Sequence, residues 1–412
     1  EFITKIEGHG ALHINWKQDK ARLEVAEGER LFEGMLIGRT PEEMHWITPR
    51  ICGVCPIAHN LASLKTVEAG LKVAPNETTV LLRRLMQTGQ MIQSHILHLY
   101  FLVAPDYTGV DRATELVKAN LKLFQTALRL KEVSDEIATI VAGRNVHPTA
   151  TTIGGFHKLP TIKQLKGLKE RLEKTFKDAE KTAEVFSKFE YPQINTDLEF
   201  IALSRSEDNL YPVYHSEFIA SSRGEKFNIK DYKQNIEEAV KEYSTAKFAT
   251  YRKREVMVGA LARIAINSEG LMPKAQKAYA SASIDFSNPF HNNLAQAIEV
   301  LHFHEEALNL IEQLLKTGLD KNIAQTGGSP PLVGIGAVEA PRGLLFHEVH
   351  IDNTNIITDA NIVTPTVQNL TSIEKSADAL LSQTKNLSQA ERERLLEMLV
   401  RAYDPCITCA VH

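Results

Sequence analysis

The chain has 412 residues, 43% hydrophobic and 24% charged, the balance of a folded globular protein rather than a disordered or fibrous one. Its 47 Lys and Arg against 51 Asp and Glu leave a formal net charge of −4, and no lysine- or arginine-rich block is present to neutralise phosphates, which argues against a nucleic-acid partner. No apolar run approaches the roughly 20 residues that span a bilayer, and "EFITKIEGHG" lacks a signal peptide's apolar stretch, so the expectation is no direct membrane span and a cytoplasmic location, with export alongside a signal-bearing partner left open.

"ALHINW" and "ARLEV" alternate apolar and polar residues around "KQDK", which predicts a β-hairpin over 11–25. Apolar residues recur at helical spacing over 76–101 and 112–142, where Leu116, Leu123, Leu130 and Ile137 lie on one slowly drifting face. "GRNVHPTATTIGGFHKLP" breaks the pattern at 143–160, and a further helix is predicted over 161–188. Residues 189–233 mix aromatics, Pro and short alternating runs, as in an irregular β-containing insertion. Helical patterning returns over 234–282 and 293–317, "GLLFHEVHID" at 343–352 reads as a strand, and Ser388 with Glu391 forms a capping-box start for a last helix ending near Ala402.

The predicted fold class is mainly α with small β elements (α+β), built on a long-helix bundle. A single unit over 1–412 is expected: the hairpin and first cysteine pair (1–75), long helices (76–188), the insertion (189–233), more helices (234–342), then a strand, the final helix and the second cysteine pair (343–412).

All four cysteines fall in two CxxC pairs, "RICGVCPIAHN" near the start and "DPCITCAVH" at the end. Thiolates are soft ligands, CxxC lets two sulfurs converge on one metal, and two such pairs make a four-sulfur site. A zinc ribbon usually has its knuckles within tens of residues, so here the fold must bring the two terminal segments together at a buried metal site. Spacing alone leaves open a structural zinc or simple iron site, or a dithiol redox pair.

Together the two cysteine segments closely resemble the paired signatures of the nickel-iron hydrogenase large subunit, and further motifs in the same order extend that resemblance along the chain. It implies that Cys52, Cys55, Cys406 and Cys409 hold nickel, with Cys52 and Cys406 terminal. Cys55 and Cys409 would also bridge to an iron carrying cyanide and carbon monoxide, an Fe(CN)2(CO) unit. The activity implied is reversible heterolytic cleavage of H2 into protons and electrons. "KIEGHG" resembles the motif whose glutamate takes protons from a cysteine thiol, which makes Glu7 the candidate carrier and Cys409 the candidate thiol. "EAPRGLLFH" resembles the segment that suspends an arginine over the open metal site, which implies Arg342 as an electrostatic clamp and Pro341 beside the diatomic ligands. By the same likeness Thr366 hydrogen-bonds a cyanide, and His59, four residues after Cys55, tunes a bridging sulfur. Glu33, the carbonyl of Ile362 and His412 would bind Mg2+, and an end three residues after Cys409 resembles the family's processed product.

Two positions depart from the family pattern. Leu31 stands where relatives have the glycine of Arg-Gly-x-Glu, and Ser94 where many carry an aspartate near the arginine, which leaves Asp404 as the acidic neighbour expected for Arg342. These departures and the short length resemble the soluble multisubunit branches that couple to NAD(P)- or F420-linked flavoprotein subunits. With every cysteine committed, electrons must leave through a separate iron-sulfur small subunit. The competing expectations are a regulatory H2 sensor and a structural or redox protein whose four thiolates hold zinc or iron.

Overall fold

A computed structural model of the chain describes residues 3–110, 115, 118, 120–206 and 211–412. Strands β1 (Gly10–Asn15) and β2 (Lys20–Val25) form the expected hairpin, with Gly10 opposite Val25 and Asn15 opposite Lys20. Asn15 closes its turn by accepting the N–H groups of Lys17 and Gln18 at 3.2 Å each. Two short helices follow, α1 (Phe32–Leu36) and α2 (Pro41–Ile47), the second opened by a Thr40/Glu43 capping box.

Helix α3 (Pro56–Leu71) begins immediately after the first cysteine pair, with Cys55 as its N-cap. Next come α4 (Glu77–Ile96), which continues into a π-helical turn at Leu97–Val103, then α5 (Leu121–Ala142) and α6 (Ile162–Phe186). Of the helix expected over 112–142, Arg112 and Leu116 lie outside the described residues, while Leu123, Leu130 and Ile137 are buried on the predicted face. Helix α7 (Ala260–Asn267) and the long α8 (Asn292–Thr317) follow the insertion. α4 packs on α5 and α8, and α6 packs on the same two, which closes a ring of four long helices.

The insertion carries β3 (Glu199–Leu203), β4 (Phe218–Ser221) and β5 (Lys226–Asn228) in one antiparallel run, as expected in kind. Residues 234–257 correct the sequence reading. They form a second hairpin, β6 (Ile236–Lys241) with β7 (Ser244–Tyr251), and then β8 (Val256–Met257), which pairs parallel to β3. The Glu-, Ala- and Lys-rich "IEEAVKEY" favours helix locally. The β-forming "STAKFATY" that follows buries Ala246, Phe248 and Tyr251 against the body of the protein, and that packing decides the outcome.

Strands β9 (Leu332–Ala340), β10 (Gly343–Ile351) and β11 (Ile357–Val363) form an antiparallel meander of which only the middle strand was legible. Ala340 pairs with Gly343, so Pro341 and Arg342 alone make the turn. Gly343 has φ +133°, and a Cβ there would lie 2.4 Å from Val258 Cγ2. β9 lies directly on α3: a Cβ on Gly334 or Gly336 would sit 2.2 or 2.7 Å from the main chain of Thr66. The chain finishes with α9 (Pro365–Gln383), α10 (Gln389–Ala402), opened by the predicted Ser388/Glu391 capping box, and the single turn α11 (Ile407–Ala410). The terminal segments do meet. Glu7 and Cys406 form a parallel bridge, Ile407 N–H donates to Glu7 O at 3.0 Å, and Arg30 N–H to Val411 O at 2.9 Å. Among the described residues no helix is long and apolar enough to cross a membrane.

Candidate metal centre

The start of α3 and the α11 turn carry the two cysteine pairs into one buried cluster whose four sulfurs lie within 4.8 Å of one another. Cys52 Sγ is 3.4 Å from Cys406 Sγ, Cys55 Sγ is 3.3 Å from Cys409 Sγ, and the sulfurs of Cys406 and Cys409 are 2.8 Å apart. Hydrogen bonds from the thiols of Cys406, Cys409 and Cys55 hold Cys52 well below the usual thiol range, aided by the charge of Arg342. Burial holds Cys406 and Cys409 well above it. A bound cation supplies the opposite charge that lets such a set ionise together, so the donor chemistry fits a soft metal centre.

One face of the cluster is lined by Ala340, Arg342, Leu345, Pro365, Thr366 and His59. Arg342 projects from the tight β9–β10 turn. Its Nε donates to Asp404 O at 2.7 Å, its Nη2 lies 2.9 Å from Asp404 Oδ1, and its buried Nη1 has no protein partner. Burial opposes the charge of Arg342, but Asp404 and the cysteines outweigh it and leave the guanidinium more firmly protonated than usual. Asp404 leaves α10 with φ 52°, a left-handed residue that turns the chain toward Cys406. The acidic neighbour expected from sequence is therefore in place. Ser94 is buried with its Oγ unpartnered. Pro341 is not among the lining residues; its carbonyl instead accepts from Arg263 Nη2 at 2.9 Å.

Thr366 Oγ accepts the N–H of Cys406 at 2.9 Å, which leaves its hydroxyl hydrogen free to turn into the lined space. His59 meets Cys409 rather than Cys55, with Nε2 3.9 Å from Cys409 Sγ. Burial lowers its pKa to about 3, so the ring is neutral. Its Nδ1 lies 3.3 Å from His347 Nε2, and His347 Nδ1 is 3.1 Å from Ser63 Oγ. With the Ser63 hydroxyl donating to His347 and His347 to His59, the N–H of His59 points at the sulfur. His347 was not singled out in the sequence; it lies on the β10 strand that alternation did identify.

Glu7 is half-buried at the parallel bridge, with Oε1 accepting from Thr408 Oγ at 2.5 Å and Oε2 accepting the Thr408 N–H at 3.1 Å. Thr408, the residue before Cys409, escaped sequence reading. Arg30 locks the same turn through donations from Nη2 to Ile51 O at 2.6 Å and to Thr408 O.

Beside the cluster, His412 Nε2 lies 2.7 Å from Ile362 O and 3.7 Å from Glu33 Oε1, while Glu33 Oε1 accepts the Ile362 N–H at 2.8 Å. Burial pushes the Glu33 carboxyl up, but His412, the Ile362 amide and Lys247 outweigh it and hold it at about 2. Glu238, on the strand misread as helix, adds a buried carboxylate oxygen without a partner. Leu31 holds the left-handed conformation its glycine counterpart favours, at φ 55° and 63% exposed.

The family model described as nickel-dependent hydrogenase matches residues 30–126 and 206–412. The chain belongs to that family. Sulfhydrogenase 1 subunit alpha of Pyrococcus furiosus is 36% identical over 419 residues, which cover 100% of this chain and 97% of the relative. NAD-reducing hydrogenase HoxS subunit beta of Cupriavidus necator is 29% identical over 100% of this chain and 93% of its own. A solved NAD+-reducing [NiFe]-hydrogenase in the H2-reduced state superposes with TM-score 0.87 at 25% identity, covering 100% of this chain and 98% of that one. The hydrogenase fold thus gathers the four sulfurs into one cluster, with Arg342 beside it and Asp404 holding Arg342.

Proposed function

We propose that this chain is the catalytic subunit of a nickel-iron hydrogenase that reversibly cleaves H2, with Cys52, Cys55, Cys406 and Cys409 holding the nickel-iron centre. The carrying observation is the convergence of four buried thiols from opposite ends of the chain beside an arginine whose Nη1 is left without a partner. Cys55 and Cys409 would also hold the iron of an Fe(CN)2(CO) unit, and Thr366, whose hydroxyl hydrogen is left free, would donate to one of its diatomic ligands. When bound, the centre supplies Lewis acidity toward H–H and accepts electrons.

The chain's own residues handle charge and protons. Arg342, fixed by Asp404, presents Nη1 to the open face as an electrostatic clamp. Cys409 Sγ takes the proton, and Glu7, held through Thr408, carries it toward solvent. His59 keeps its N–H on the Cys409 sulfur. Glu33, the Ile362 carbonyl and His412 hold Mg2+, a role supported by their convergence and by the orphaned oxygen of Glu238 nearby.

Electrons pass to an iron-sulfur small subunit. It docks where Gly53 is exposed between the two cysteines of the first pair, beside Arg50 and His147, whose Nδ1 reaches Pro49 O at 3.1 Å. Of the two carriers, NAD(P) has the support, since the Cupriavidus relative and the solved structure are named NAD-reducing, whereas the methanogen relatives are named F420-non-reducing.

Infrared spectroscopy of the purified protein alongside a nickel assay tests the reading. Sharp bands from metal-bound cyanide and carbon monoxide with stoichiometric nickel are expected. Zinc or lone iron without such bands would overturn it in favour of a simple four-thiolate metal protein.

A further inference from the structure

His98 lies outside the cluster, in the π-helical turn that ends α4, and is 1% exposed. Single π-helical turns cost hydrogen-bond geometry and are frequent at functional sites. Here the wide turn carries the imidazole between α8 and the end of α10. Its Nδ1 is 2.5 Å from Gln296 Oε1 and its Nε2 2.7 Å from Arg401 O.

The proton positions follow from the partners. Gln296 donates through Nε2 to Asp404 Oδ2 at 3.0 Å. A carboxylate oxygen must accept there, so the amide orientation is settled and Gln296 Oε1 is an acceptor toward His98. The carbonyl of Arg401 is an acceptor by nature. Both ring nitrogens therefore face oxygens that only accept, and both must carry hydrogen. Turning the ring over would press carbon to about 2.5 Å from the amide oxygen, inside van der Waals contact.

The charged surroundings agree. Asp404 Oδ1 is 3.8 Å from His98 Nε2, while the Arg401 guanidinium is drawn away to Asp106 at 2.7 Å and Glu397 at 2.9 Å. His95, one turn earlier on α4, is engaged with Glu299 at 2.7 Å. Both oxygens of Asp404 are engaged, Oδ1 with Arg342 and Oδ2 with Gln296.

We propose that His98 is a positioning residue for hydrogen cleavage: a doubly protonated imidazolium that, directly and through Gln296, fixes the Asp404 carboxylate and so aims Arg342 at the thiolate cluster. Asp404 then lies between two cations, Arg342 on the reacting side and His98 on the other. The link to Arg342's role rests on the hydrogenase reading above, whereas the protonation of His98 does not.

Two measurements test it. In the holoenzyme labelled with 15N in its histidine rings, the resonances that vanish in His98→Gln should be two N–H nitrogens near neutral pH; one bare ring nitrogen would overturn the proposal. In His98→Gln and Gln296→Leu, nickel should stay stoichiometric, the cyanide and carbon monoxide bands should move, and turnover should fall about tenfold at unchanged KM for H2. Bands that stay in place in nickel-replete variants would reduce His98 to a packing residue and overturn it. Should His98→Gln fail to assemble, Gln296→Leu carries this arm alone. Absence of diatomic bands in the parent would count against the hydrogenase reading, while the ring nitrogens would still decide the state of His98.

Discussion

Arg263→Met should destabilise the protein strongly. The fully buried guanidinium donates to both oxygens of Glu299 at 2.6 and 2.7 Å, to Glu339 Oε2 at 3.0 Å, and to the carbonyls of Ala340 and Pro341 at 3.1 and 2.9 Å. Removing one partner of such a buried pair costs about 3–5 kcal/mol, and each orphaned carbonyl adds roughly 1 kcal/mol. Burial already holds the Glu339 carboxyl up at about 7, so it can take a proton and soften the loss. A net cost of about 4 kcal/mol, spread over about 2 cal/mol/K of unfolding entropy per residue, lowers Tm by about 5 °C for a chain of this length. Differential scanning calorimetry on parent, Arg263→Met and Arg263→Lys should give that order, with the lysine variant intermediate because it keeps the charge but reaches fewer of the five acceptors. Since the two carbonyls precede Arg342, hydrogen turnover should fall with the melting point. A methionine variant melting within about 1 °C of the parent would refute the reasoning.

Glu7→Gln should keep nickel and the diatomic bands yet lose turnover by about 10²-fold or more, and Thr408→Val should lose less because the backbone N–H still holds the carboxylate; H2 uptake assays on metal-replete samples check both. Because the Glu339 carboxyl is raised in the fold, its contribution to stability is full below about pH 4.5 and is lost as pH rises through about 7. Glu339→Gln should therefore lack that decline, seen as a stability gap to the parent that narrows with pH in denaturant titrations. Ser94→Ala should be neutral or stabilise by up to about 1 kcal/mol in the same titrations, since it removes a buried hydroxyl without a partner, and a loss above about 1 kcal/mol would count against that view.

What sequence disclosed follows from which interactions are local. The long helices announce themselves by apolar spacing, and the cysteine pairs by being adjacent in the chain, so the four sulfurs and the meeting of the two terminal segments at a buried site were legible, although the contacts that lock those segments together were not. Residues 236–251 were misread because Glu, Ala and Lys favour helix while the deciding contacts come from distant parts of the chain. Thr408 and His347 were missed although they lie inside the segments "DPCITCAVH" and "EAPRGLLFH", because only the fold brings them to their partners Glu7 and His59. Arg263 and Glu299 did leave a signal, a charge inside the apolar runs "GALARIAI" and "LAQAIEVL", which only pairing explains.

Where β9 crosses α3, Gly334 and Gly336 let its main chain rest on that of Thr66. Most joints in a protein contain a compliant layer of side chains that exchange rotamers and creep with temperature. Here the two glycines thin that layer, and the joint couples the helix that starts after Cys55 to the hairpin that ends in Arg342. The arm that carries Arg342 and the helix that follows Cys55 are thereby tied to each other by main chain on main chain at Gly334 and Gly336.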